Sequence, residues 1–228
     1  MYHDLVYEIC LKTGNSGAGA EHLHNDPMVL GHIYAGPYIN LEPESTFLLE
    51  DEMGVCGYII GALDTISFFN KVKSDWLPKL QKQYSDPTES SKPWNKDEKC
   101  IHLLFHPEIP QNLPEFPSHL HINLLPQAQE KGLGKKMMDH FMNDLKARGS
   151  KGLHLELGIK NQRAFHFYKK YGMKELKRDR NSIIMGISFG SSRFSVETKA
   201  LCTTHSPFFC IHYSSPISSF HISGFLLI

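Results

Sequence analysis

Gln129-Glu130-Lys131-Gly132-Leu133-Gly134 lies between the apolar run from His119 to Leu125 and the amphipathic run from Lys135 to Lys146, and it reads as strand, glycine-rich turn and helix start. Such a junction suits a pyrophosphate. Gly132 and Gly134 carry no Cβ, so backbone N–H groups can come close to an anion. The opening helix adds its unbonded first amides and the positive end of its dipole. An ordinary strand-to-helix turn would also explain a pattern this short. A second unit downstream shifts the balance. Gly152 to Leu157 alternates as a strand does, and Asn161 to Met173 reads as a helix with Asn161 as N-cap and Gly172 as C-cap.

These residues resemble the GNAT superfamily of N-acetyltransferases, whose pyrophosphate loop is (Q/R)xxGx(G/A). In that superfamily the next strand-helix unit carries an Asn and a Phe-Tyr pair before a Gly, and Asn161, Phe167-Tyr168 and Gly172 match it. Within the superfamily, Leu145 to Gly152 followed by Glu156 and Phe167-Tyr168 looks like the acetyltransferase-like C-terminal domain of O-GlcNAcase and its free-standing relatives. The resemblance is dense over residues 119–176 and thin elsewhere. It implies an α/β chain of α+β type with the GNAT fold, a twisted, mostly antiparallel mixed sheet flanked by helices. It also implies acetyl-CoA as cosubstrate, with direct transfer of the acetyl group to a primary amine in a ternary complex. The alternative it leaves open is a GNAT-like pseudo-enzyme that serves as an interaction domain. A dinucleotide-binding Rossmann unit is disfavoured, because the glycines do not form GxGxxG.

Composition sets the outer bounds. A chain of 228 residues, 41% hydrophobic and 21% charged, has the make-up of a soluble globular protein with one well-packed domain and some extra length. Acidic and basic residues balance at 24 each, which speaks against a nucleic-acid or membrane surface as the main business of the chain. Five scattered cysteines without CxxC, and no secretory signal at the start, point to a reduced intracellular compartment, cytoplasmic or nuclear. Fourteen histidines are many. His22/His24 and His119/His121 lack partners at metal-ligand spacing, so no metal is expected.

Outside the central units, Asp4 to Thr13 has helical apolar spacing and ends at Gly14, and Pro27 to Ala35 reads as a short helix broken by Gly36-Pro37. A first strand normally precedes such a helix in the resembled superfamily; only Met1 to His3 are available, so that strand is expected to be missing, or the chain to be a truncated product. Thr46 to Glu50 and Val55 to Leu63 read as a hairpin around Asp51 to Gly54. Phe68 to Tyr84 reads as a helix interrupted near Pro78, and Ser85 to Lys99 as a polar surface linker within an insertion of about residues 66–118. The domain is expected to span residues 1–187. Residues 188–228 form a low-charge extension without a periodic apolar face, expected to be loosely docked and too polar for a membrane span.

The resemblance carries roles onto residues. Leu124 and Leu125 occupy the place where backbone N–H groups polarise the acetyl carbonyl. Gln129, Glu130, Lys131, Gly132, Leu133, Gly134 and Lys135 wrap the pyrophosphate, with Lys131 and Lys135 adding charge. Asn161 is expected to hydrogen-bond the pantetheine arm, with Ala164 and Phe167 packed beside it, and Tyr168 to protonate the departing thiolate. For the general base, period-two spacing puts His119, His121 and Asn123 on one face of the cofactor strand. His121 is the first candidate and Asp64, at the end of the preceding strand, the second. An Asp is common at the position of Asn123 in similar sequences, and Asn cannot act as a base.

Overall fold

The computed structural model describes residues 2–108, 110–190 and 209–212, the last four by their backbone. The chain opens with α1 (Tyr2–Lys12), which buries Val6, Tyr7, Ile9 and Cys10 at helical spacing. A single turn follows, α2 (Gly14–Gly17), with Asn15 and Ser16 at positive φ. Helices α3 (Val29–Tyr34) and α4 (Gly36–Leu41) meet at Ala35, so Gly36-Pro37 bends the chain and then starts the second helix, where proline is tolerated. The hairpin β1 (Thr46–Asp51) and β2 (Gly54–Ala62) forms as the sequence indicates.

The insertion is more ordered than a surface linker. Helix α5 (Thr65–Lys71) widens into a π turn over Val72–Trp76 and continues as α6 (Leu77–Leu80). Pro78 has no N–H to donate and its ring crowds the preceding carbonyls, which accounts for the widened turn just before it. Within the stretch expected to be linker, Asn95 starts α7 (Lys96–Phe105) with a capping box. Its side chain accepts from the Glu98 N–H at 2.8 Å, and the Glu98 carboxylate accepts from the Asn95 N–H at 2.8 Å. Asp97 then anchors the N-terminal loop, accepting from the His24 ring at 2.6 Å and from the backbone N–H groups of Asn25 and Asp26.

The remaining elements are β3 (Ser118–Leu124), α8 (Leu133–Ala147), β4 (Gly152–Gly158), α9 (Gln162–Tyr171), β5 (Lys174–Arg178), β6 (Ser182–Ser188) and β7 (Phe209–His212). Together the strands make one sheet in the order β5-β6-β4-β3-β2-β1-β7. Neighbours are antiparallel except β3 with β4 and β1 with β7. The twisted, mostly antiparallel mixed sheet expected from the sequence is therefore the fold. One sheet face packs on α8, whose Met137, Met138, Phe141, Met142 and Leu145 meet Leu120, Leu153, Leu155 and Leu157. The opposite face packs on α1, α4 and α5 through Tyr7, Tyr38, Tyr58 and Phe68. Period-two strands thus feed two cores at once.

Most of the C-terminal extension lies outside the described residues. The four described ones pair with β1 in parallel, from Phe47↔Phe209 to Glu50↔His212, and so supply the edge strand of the sheet. No strand precedes α1 among the described residues.

Candidate active site

The sheet opens at its centre. β3 and β4 pair only at Ser118↔Leu153 and His119↔His154. Beyond that point β3 continues with β2 as far as Gly57↔Leu124, and β4 continues with β6 as far as Gly158↔Ser182. The two central strands therefore diverge with facing edges that bond to neither. Leu125 donates its N–H to the Cys56 carbonyl at 2.8 Å. Antiparallel alternation then turns the Ile122 and Leu124 amides away from β2 and into the gap. Of the two backbone donors expected there, Leu124 turns its N–H into the gap. Leu125 does not, because its N–H already belongs to the β2 ladder.

Below the gap, the Gln129 side chain ties the strand end to the second unit. Its Nε2 donates to the Leu124 carbonyl at 2.7 Å and its Oε1 accepts from Arg163 at 2.6 Å. Glu130 and Gly132 are left-handed, with φ of 61° and 74°, and Gly132 is the N-cap of α8. The first bond closing onto that cap runs from the Lys136 N–H to the Gly132 carbonyl. The amides of Leu133, Gly134 and Lys135 therefore stand at the helix start without an intrahelical acceptor, in the geometry that receives an anion. A Cβ on Gly134 would lie 3.4 Å from Phe167 and 3.5 Å from Leu124, so this glycine lets the helix start approach both. Leu133 itself is core. Lys131 is exposed, and Lys135 donates to Asp139 at 2.6 Å.

Asn161, Ala164, Phe167 and Tyr168 of the second unit line the same cleft as Leu124, Gln129, Glu130, Gly132, Gly134 and Lys135, a hollow of 700 Å³. Thr13 and Ser16, from the end of α1 and the α2 turn, close its other side. Asn161 caps α9 by accepting from the Ala164 N–H at 3.1 Å, which leaves its amide N–H groups for a ligand. Tyr168 is 8% exposed, and burial pushes its phenol well above the ordinary value. Its hydroxyl makes no hydrogen bond among the described residues.

On the other face of β3, hydrogen-bond bookkeeping fixes tautomers. The Thr65 hydroxyl donates to the Pro117 carbonyl at 2.7 Å, so at 2.8 Å from His119 Nδ1 it accepts. Burial keeps His119 neutral, pulling it well below the ordinary value, so its Nε2 accepts from the Tyr38 hydroxyl at 2.8 Å. The Tyr38 oxygen in turn accepts from His121 Nε2 at 3.0 Å. Neutral His121 therefore carries its proton on Nε2 and presents a bare Nδ1, and burial draws its titration down to about 4. His121 is one pleat from Asn123, which lines the cleft and donates to the Thr13 hydroxyl at 2.6 Å.

Asp64 is elsewhere. It is exposed, caps α5 by accepting from the Ser67 N–H at 2.8 Å, and lines a separate 310 Å³ hollow with Lys151 and His154. It follows Ala62, the partner of His119, so the length of β3 separates it from Leu124, about 17 Å. It is an N-cap and not a base beside the cleft. Glu156, by contrast, went unused in the sequence reading as a chemical group. It alternates with the buried Leu155 and Leu157 of β4, and so shares the sheet face of His121 and Asn123. Its charge is also among those acting on the Tyr34 phenol, which burial first of all pushes up to about 12. Tyr34 meets His121 edge to face at 6.3 Å. The signal was there in the period-two alternation of residues 152–158.

A mixed sheet parted between two parallel strands, with a glycine loop and helix start beneath the gap, defines an acyltransferase fold. The chain belongs to the acetyltransferase (GNAT) family, whose model matches residues 25–173. It is 32% identical over 177 residues to Protein O-GlcNAcase of Rattus norvegicus, an alignment covering 76% of this chain and 19% of that protein. The chain thus spans about a fifth of the length of the curated relatives it matches. Among solved structures, SsHAT is 34% identical with a TM-score of 0.75, covering 82% of this chain and 93% of that one. PH1933 from Pyrococcus horikoshii OT3 shares the fold, with a TM-score of 0.53, 14% identity and coverage of 83% and 93%.

Proposed function

We propose that the chain is an acetyl-CoA-dependent N-acetyltransferase acting on a primary amine by direct attack in a ternary complex. The observation that carries this reading is the continuity of one cleft from the α8 helix start to the β3–β4 gap, with the Leu124 amide aimed into it. Acetyl-CoA fits the donors present: anion-receiving amides at Leu133 to Lys135, an amide side chain at Asn161, and the aromatic ring of Phe167 beside Gly134. Its thioester supplies the acyl group.

In this reading the Leu124 N–H holds the acetyl oxygen and becomes a stronger partner as charge builds there. His121 Nδ1 removes a proton from the amine, directly or through one water along the Asn123 face, with Tyr38 and His119 fixing the ring. Tyr168 keeps its proton at neutral pH and passes it to the thiolate. The Glu156 carboxylate, on the same face, orients an acceptor ammonium by charge. One observation favours the second reading, a domain that binds without turnover: Asn123 is committed to Thr13 and cannot take a proton.

The test is a panel of amines, from polyamines and amino sugars to lysine peptides, assayed for free thiol from acetyl-CoA. Acceptor-dependent thiol release supports the enzyme. Tight acetyl-CoA binding with no release above the buffer rate for any amine supports the second reading.

A further inference from the structure

The surface of the insertion gathers three metal-binding groups that the acyl-transfer chemistry does not use. His102 and His106 lie one turn apart at the end of α7, an i, i+4 pair on one helix face. Their rings stack with centroids 4.3 Å apart and planes 24° apart, backed on the His102 side by Trp94 at 4.7 Å. Both present a nitrogen to one carboxylate: His106 Nε2 lies 2.7 Å from Asp86 Oδ2, and His102 Nδ1 lies 4.0 Å from Asp86 Oδ1. The three ligand atoms fall within 4.8 Å of one another. The Thr88 hydroxyl stands 3.1 Å from His106 and 3.4 Å from His102, and it donates to Asp86 at 2.6 Å.

We propose that Asp86, His102 and His106 form a site for a divalent transition ion of the zinc class. Ligands around a tetrahedral zinc, each about 2.0–2.1 Å from it, are separated by about 3.3 Å. The observed 2.7 Å and 4.0 Å bracket that value, so small rotations of two half-exposed rings and one carboxylate seat the ion. Two imidazoles and one carboxylate suit zinc better than magnesium or calcium, which prefer all-oxygen sets. The open side faces solvent and leaves the fourth position to Thr88 or water. The ion would pin residues 86–88 to the end of α7 across an intervening polar stretch. The HxxxH spacing was readable in the sequence. The third ligand comes from a loop before the helix, outside any local histidine spacing.

The full-length protein, stripped with a chelator and dialysed, should be titrated with zinc chloride alone by calorimetry, and with cobalt(II) chloride by visible absorption. The expected result is one strong site, weakened by acidification because protons compete with the metal for the imidazole nitrogens. His102→Gln with His106→Gln should weaken that site by more than about tenfold and remove the cobalt d–d bands, with an unchanged circular dichroism spectrum. Unaltered affinity and bands in the double variant would place the ion elsewhere and overturn the proposal. A wild-type protein that binds neither ion would overturn it too.

Discussion

Tyr168→Phe isolates one hydroxyl in the cleft. The ring stays, so the packing of α9 on the sheet is kept, and the lost hydroxyl has no hydrogen bond among the described residues to give up. The cost in stability is then less than about 1 kcal/mol, and the melting temperature should move by no more than about 4 °C. The kinetic effect has a different size. A well-placed general acid contributes about 10²–10⁴ in rate. Burial raises the Tyr168 phenol further above an alkyl thiol such as that of coenzyme A, so donation is less favourable than from a free phenol and the loss falls at the low end. A drop of about tenfold to a hundredfold is expected, or about 1.4–2.7 kcal/mol of barrier. The assay is single-turnover thiol release with saturating acetyl-CoA and the best acceptor from the amine panel, alongside acetyl-CoA affinity, which should stay within about twofold. An unchanged single-turnover rate would refute the acid role and leave Tyr168 a core residue.

Tyr38→Phe should strand the buried His119 Nε2 and release the His121 ring, costing about 1–3 kcal/mol of stability and lowering kcat more than it alters acetyl-CoA affinity. Stability of the wild type should fall as pH drops from about 6.5 to about 4: His121 and His119 resist protonation in the folded state, while the unfolded chain takes up those protons freely, so flat stability over that window would contradict the buried neutral pair. Asp64→Ala should remove an N-cap, costing about 1 kcal/mol with kcat/KM within about twofold, and a large loss of turnover in a folded variant would return Asp64 to the chemistry.

Where pattern and burial coincide, the sequence was readable. The apolar run from His119 to Leu125 marked β3, the alternation from Gly152 to Leu157 marked β4, and the glycines with the helical periodicity after them marked the loop and α8, because those segments face a core on a known period. The β5–β6 hairpin was not seen. Lys174–Arg178 is exposed along its whole length and offers no apolar alternation, so its pairing is fixed by β6 and not by its own residues. In the site, what could be read was what lies on one loop or one cap. The occupied Leu125 amide depends on Cys56 across the sheet, and the His121 tautomer depends on Tyr38, Thr65 and Pro117. Asp64 follows β2 beside the start of β3, where Ala62 pairs with His119, whereas the cleft lies at the other end of β3, where Gly57 pairs with Leu124; antiparallel register thus sets Asp64 away from the cleft.

The central claim is that acetyl-CoA seats its pyrophosphate on the loop from Gln129 to Gly134. The most direct measurement is calorimetric titration of acetyl-CoA into the wild type and into Gly132→Val. At φ of 74° a branched residue is strained by about 1–2 kcal/mol, yet nothing lies within 4 Å of its Cβ, so the variant should fold and melt only several degrees lower. The account predicts one site per chain in the wild type and at least about tenfold weaker binding in the variant, a loss of about 1.4 kcal/mol or more. Equal affinities, or a folded wild type that does not bind acetyl-CoA, would contradict it.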